Sequence, residues 1–387
     1  MSIAVYGGSF NPPHLGHFEA AHTVKEQLKP DKFLIIPDNI PPHKQLADGS
    51  PTAEERMELC RLAFSGIEGA QVSDMEIQRE GKSYTADTLS EIMQKYPGEE
   101  IILVIGTDML LSFEQWYRFT FILDNATLAA VTRNEGDDEA VNSHAQYLRD
   151  RYSARIVCLE HDPVPMSSMD IRSLLARGTG SEYLDEKVYS EIIRHGYYDA
   201  RPELAWLREK MYDRHDTRRI AHVAGCENEA VRLANFWGAD PENAATAAIL
   251  HDMTKRLSAD EQLKLAAEYG IMNDISDMDE PLYHAVTGAE QARREFGVND
   301  EIYGAVRWHT TGRPDMTLLE KIVWLADYIE PTRDFPGVDK VRQLAYKDID
   351  EAMLTGLNIT VDHICEKGKK PHHDSVDALM WFMDRHC

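Results

Sequence analysis

The chain has 387 residues, 43% hydrophobic and 28% charged, a globular balance that excludes a mostly disordered polypeptide. Asp and Glu number 66 against 41 Lys and Arg, a formal charge of −25. The excess runs through both halves (18 basic and 32 acidic residues up to position 200, 23 and 34 after it), so no basic stripe exists to neutralise a nucleic-acid backbone. A small phosphate ligand stays allowed, because a few local donors hold one against the global field. Five cysteines, odd in number and without a CxxC pair, signal neither a zinc knuckle nor a disulfide framework. The N-terminus carries no basic segment followed by a long apolar run, and no stretch is long enough to span a bilayer. The chain reads as cytoplasmic, with no membrane or nucleic-acid partner; a homo-oligomer is compatible with it.

In chain order, the first half alternates β-rich runs at 2–6, 33–37, 101–105, 127–132 and 155–159 with amphipathic stretches such as 18–28 and 52–64. Strands spaced by helices predict a Rossmann-like parallel sheet, with ligands beyond the carboxyl ends of the strands. After residue 200 helical periodicity takes over, at 203–214, 218–237, 241–253, 259–269, 282–296, 300–309, 318–329, 338–357 and 375–384. The expected architecture is α/β followed by all-α. The breaker-rich stretch 195–202 divides the chain into domains 1–200 and 201–387.

Two sets of residues carry chemistry. The string GGSFNPPHLGH (7–17) follows a strand and opens a helix. Gly7 and Gly8 allow close ligand approach, and the helix start offers N–H groups and a positive dipole end to phosphate. His14 and His17, three apart, face one side of the first turn. In the second half, His222, the adjacent pair His251–Asp252, His284, His309 and Asp327 are spread over helices. Imidazole and carboxylate together suit divalent transition metals, and a helical bundle brings such residues to one centre. His161, His215, His363, His372 and His373 fit neither set and read as surface or packing residues.

The first string resembles the HxGH nucleotidyltransferases. MSSMDIRSLL (166–175) is similar to that family's ISSTxIR segment, with Ser167 and Ser168 as helix caps and Arg172 as a phosphate clamp. PDNIPPHK (37–44), YTADTL (84–89) and IGTDMLLSFEQWY (105–117) resemble nicotinate-mononucleotide adenylyltransferases more closely. That resemblance, over roughly 1–200, implies roles residue by residue. Gly7, Gly8, Ser9, Phe10, His14 and His17 hold ATP, which arrives with Mg²⁺, and His43 and Lys44 face the mononucleotide phosphate. Thr85 contacts the pyridine carboxylate, Gly106 and Asp108 lie near adenosine, Trp116 and Tyr117 bracket the pyridine, and Arg133 reaches the nucleotide. His14, His17, Lys44 and Arg172 would assist transfer of AMP from ATP to nicotinate mononucleotide. Asn11 and Met169 depart from the relatives' usual Asp and Thr, without removing a phosphate donor.

The second set resembles the HD phosphohydrolases. HTTGRPxM and ADYIEP bring it closest to the bacterial branch that cleaves diadenosine tetraphosphate into two ADP. The resemblance implies one metal on His222, His251, Asp252 and Asp327, and a second on His284 and His309 with Asp252 bridging. Iron is the implied metal, which spacing does not distinguish from manganese or another divalent ion. Asp252 and Lys255 would be catalytic, and Lys255, Thr310, Thr311 and Arg313 would contact phosphate. DMTKRLS lacks the aromatic that relatives carry after the HD pair, which leaves substrate detail open. Two alternatives stand beside this bifunctional reading: a helical half that binds nucleotide as a regulatory module or hydrolyses another nucleotide, and a first half that also accepts nicotinamide mononucleotide.

Overall fold

SIAVYGG sends alternate side chains to two faces, and the residues on both are buried, so strand β1 (Ser2–Gly8) is apolar almost throughout. The computed structural model describes residues 1–42, 45–132, 138–160 and 164–386. In it β1 joins β2 (Lys32–Pro37), β3 (Ala70–Val72), β4 (Glu100–Gly106), β5 (Ala126–Val131) and β6 (Arg155–Leu159). The order is β3-β2-β1-β4-β5-β6, with every neighbouring pair parallel. Ile3 and Val5, Leu34 and Ile36, Leu103 and Ile105 point to one face, where they form a single core with Leu89 and Ile92 of the Thr85–Lys95 helix. Strand order reverses between β1 and β4, which opens a crevice beyond their carboxyl ends.

The sequence pattern misses β3. Its three residues, AQV, lie at the sheet edge and none is fully buried, so they carry neither an apolar run nor an alternation. The helix expected from residue 18 begins three residues earlier, at Leu15, with His14 as N-cap in extended conformation. The tight turn after β1 is not made at its glycines. Both glycines end β1 with ordinary backbone, and Phe10 is the residue that turns left-handed, at φ 44°.

The chain divides into two compact units, Met1–Arg201 and Pro202–Cys387. The second is helical among its described residues, with principal helices Leu204–Tyr212, Thr217–Trp237, Pro241–Leu250, Ala259–Tyr269, Tyr283–Phe296, Asp300–Trp308, Leu318–Ile329, Val338–Ala345, Ile349–Glu366 and His373–His386. The run expected as one helix over 338–357 is two. Trp237 Nε1 donates to the Ala345 carbonyl (2.8 Å) and closes the first, while Asp348 accepts from the amides of Asp350 and Glu351 and opens the second. Among the described residues, no helix is long and apolar enough to cross a membrane.

Candidate active sites

A cavity of about 900 Å³ opens where β1 and β4 end, within the size range of small-molecule sites. Gly7, Gly8, Ser9, Phe10, His14, His17, Thr85, Gly106, Asp108, Trp116, Tyr117, Ser167, Ser168 and Arg172 all line it. His43, Lys44 and Arg133, together with His161, lie outside the described residues. The imidazoles of His14 and His17 stand 3.8 Å apart, centroid to centroid, and His17 Nδ1 accepts the His14 backbone N–H at 3.2 Å. Phe10 lays its ring edge-on against His17 at 5.1 Å. Gly16 leaves room for the pair, because a Cβ there would stand 3.1 Å from the His14 ring.

Several residues that hold this loop carry no sequence signal. Arg56 is fully buried and donates to the carbonyls of Ser9 (2.6 Å) and Asp38 (2.8 Å) and to the Asp38 carboxylate (3.0 Å). Asp38 in turn accepts from Ser9 Oγ (3.0 Å). The Ser167 side chain caps the Ser168–Leu175 helix. Ser168, expected as a second cap, donates to the Pro12 carbonyl instead (3.1 Å), because it is already the first helical residue. Arg172 donates to the Asn11 carbonyl (2.5 Å), and Tyr198 to Asn11 Oδ1 (2.8 Å). Trp116 stacks on Phe113, whereas Tyr117 stays half exposed, 4.7 Å from Tyr84.

In the helical unit the six expected residues converge on Asp252. Its Oδ2 faces His222 (3.7 Å) and His251 (3.4 Å), and its Oδ1 faces His284 (3.1 Å) and His309 (3.7 Å). Asp327 joins the first side, 3.2 Å from His222 Nε2. His251 and Asp252 lie beyond the helix that the pattern extended to Met253. It ends at Leu250, and the pair lies in the turn that follows, with His251 still in right-handed helical conformation. Cys226, Arg219, Glu330 and Arg333 also stand here, unmarked by the sequence motifs. Cys226 Sγ lies 3.6 Å from His222 Nε2, Arg219 pairs with Asp252 (2.5 Å), Glu330 with His222 Nδ1 (3.1 Å), and Arg333 with Asp327. Their signal was only proximity in sequence to a ligand. Lys255 Nζ stands 3.2 Å from His284 Nε2. Thr310 is on the turn after His309, Thr311 bonds the Gly312 carbonyl, and Arg313 is held by Glu320 (3.0 Å). None of these Thr311 and Arg313 bonds is with the His/Asp cluster.

Charge distribution follows from this packing. Burial opposes ionisation of Asp252, but His251 and the other imidazoles outweigh it and hold the carboxyl well below its usual range. Asp327 is likewise held down, with burial overcome by His222, His251 and Arg333. Burial would depress His251, and the neighbouring carboxylates raise it instead. Burial pushes His284 down to about 4, so that ring is neutral near pH 7.

The donor set fits a divalent metal pair. His251 Nδ1 and His309 Nδ1 lie 2.6 and 2.7 Å from backbone carbonyls, which only accept, so each ring keeps a proton on Nδ1 and its Nε2 is the atom offered to a metal. Those Nε2 atoms face the Nε2 of His222 at 3.3 Å and of His284 at 3.1 Å. A cation between such nitrogens replaces repulsion with coordination.

An open parallel sheet with a cavity at its switch point, and a helical bundle around a His/Asp centre, are the features of a nucleotidyltransferase-class domain followed by an HD-hydrolase-class domain. Comparison with known proteins agrees. Residues 5–174 match the cytidylyltransferase-like family and residues 219–332 the HD domain family. A probable nicotinate-nucleotide adenylyltransferase of Lachnoclostridium phytofermentans is 34% identical over 197 residues, 51% of this chain and 98% of the relative. The symmetrical bis(5'-nucleosyl)-tetraphosphatase of Bacillus subtilis is 40% identical over 166 residues, 43% of this chain and 89% of the relative. A crystal structure described as a predicted HD superfamily hydrolase involved in NAD metabolism, from Clostridium acetobutylicum, is 32% identical, covering 47% of this chain and 97% of its own (TM-score 0.45). The chain therefore belongs to both families: a nicotinate-nucleotide adenylyltransferase-like domain comes first and an HD domain follows.

Proposed function

We propose that the protein is bifunctional, with domains 1–200 and 201–387 each carrying an active site. The first transfers AMP from ATP to nicotinate mononucleotide, giving deamido-NAD and pyrophosphate. The second hydrolyses diadenosine tetraphosphate to two ADP. The close His14–His17 pair at the mouth of the β1–β4 crevice supports the first reading. There the mononucleotide phosphate attacks the α-phosphorus of ATP in line and pyrophosphate leaves. His14 and His17 grip phosphate oxygens, while Arg172 and Lys44 offset charge that builds in the transition state. Thr85, Trp116 and Tyr117 seat the pyridine, and Mg²⁺ enters with ATP.

Asp252, with one oxygen toward each histidine pair, supports the second reading. His222, His251, Asp252 and Asp327 would hold one divalent ion, iron in this reading, and His284 and His309 a second across Asp252. Bound there, the ions supply Lewis acidity and a more acidic water. Glu330 and the backbone carbonyls orient the imidazoles, and Lys255 stands ready for a phosphate oxygen.

The test assays intact protein with ATP plus nicotinate mononucleotide and, separately, with diadenosine tetraphosphate. His17→Ala should lose about 2.7–4 kcal/mol of transition-state stabilisation in adenylyl transfer, the cost of one lost oxyanion donor, and keep ADP production. Asp252→Asn should do the reverse. Nucleotide binding without ADP release by the wild type would make the helical unit a regulatory module. Equal turnover of nicotinamide mononucleotide would remove the assigned acid selectivity.

A further inference from the structure

His372 and His373, at the entrance to the His373–His386 helix, stand against Asp277, in the turn that follows the short Met272–Ile275 helix. His373 Nε2 lies 3.0 Å from Asp277 Oδ2 and His372 Nε2 3.9 Å from Oδ1. One ligand atom from each of the three side chains falls within 4.8 Å of the other two. The His372 side chain is 6% exposed, yet its Nε2 has no hydrogen-bond partner. Buried polar atoms are rarely left so, and such an atom aimed into a cluster of ligating side chains asks for an occupant.

Asp374 backs both rings. Its Oδ2 lies 3.3 Å from His372 Nδ1 and its Oδ1 3.0 Å from His373 Nδ1. A carboxylate behind the imidazole is the usual support of a metal-ligating histidine. The Asp374 backbone N–H also reaches His372 Nδ1, at 3.3 Å. With Nδ1–H on the Asp374 carboxylate, the His372 Nε2 lone pair is left to meet an ion. Asp374, Asp274 and Asp277 all act on the nearby Arg307 guanidinium, so carboxylates outnumber the cation that faces them. His373 and Asp277 side chains are 60% and 56% exposed, which leaves an entry path and open coordination positions.

We propose that Asp277, His372 and His373 form a site for a divalent transition cation of the zinc type, separate from the cluster around Asp252, that fastens the 276–279 turn to the start of the last helix. Two imidazoles and one carboxylate, with solvent completing the shell, are a normal zinc donor set. The test uses full-length protein holding its resident metals, equilibrated with buffered Zn²⁺. Wild type should retain one more zinc per chain than the Asp277→Asn/His373→Ala double variant, by elemental analysis. Zinc should raise the melting temperature of wild type and leave that of the double variant unmoved. Exchange at the Asp252 cluster is common to both proteins and cancels in the comparison. If the double variant fails to fold, the single variant His373→Gln, altered only at a mostly exposed side chain, replaces it. Equal zinc content and equal melting shifts overturn the proposal.

Discussion

His14 and His17 form a pair through the residues that crowd them. Phe10 buttresses the His17 ring, the His14 amide donates to the Nδ1 of that same ring, and Gly16 gives the His14 ring its space. A methyl group at position 16 would meet the His14 imidazole at 3.1 Å and force that ring to shift by a few tenths of an ångström. Gly16→Ala should therefore lower kcat for adenylyl transfer by about tenfold or more, since small misplacement of positioned groups is costly. Steady-state kinetics check this, and an unchanged melting temperature separates it from unfolding. The residue scale also shows the limit of pattern reading. The strings around His14 and Asp252 are legible because their chemistry is local in sequence. Arg56 is not, because its partners Ser9 and Asp38 lie 47 and 18 residues away.

Helix ends set the next scale. Thr52 and Glu55 exchange backbone bonds at the start of Ala53–Ala63, with Glu55 N–H on Thr52 Oγ1 at 3.2 Å and Thr52 N–H on Glu55 Oε2 at 2.8 Å. Thr52→Ala should cost about 1 kcal/mol, measured by denaturant unfolding. The bond from the Thr52 backbone is the largest cause that holds the Glu55 carboxyl below its ordinary value of 4.5. A depressed carboxyl contributes stability that is fully present above the unfolded value and lost as pH falls through the folded one. Melting temperature against pH should then show wild type ahead of Glu55→Gln above about pH 4.5, with the gap closing on acidification. At this scale the cap residues are readable, but the end of Val338–Ala345 is not. Trp237 closes it from 108 residues away.

The whole molecule consists of two units, each with its own compact set of contacts. Ligands of one site should stabilise one unit. Calorimetry with ATP and nicotinate mononucleotide should raise only the transition of the α/β unit, and a chelator should lower only that of the helical unit. A ligand at a hundredfold excess over Kd adds about 2.7 kcal/mol, enough to resolve the two. A single transition that moves with both treatments would show the units to unfold as one.

By itself, the sequence determined the alternation of strand and helix, the motif that opens the helix after β1 and the five residues that meet around Asp252. Each follows from short-range periodicity or from side-chain chemistry at fixed spacing. Only the tertiary structure decided the edge strand β3, the end of the helix before His251 and Asp252, the buried Arg56 clamp and the meeting of Asp277 with His372 and His373. These depend on which distant segments pack together, and no local pattern records that choice, because the energy that makes it comes from burial and pairing across the fold.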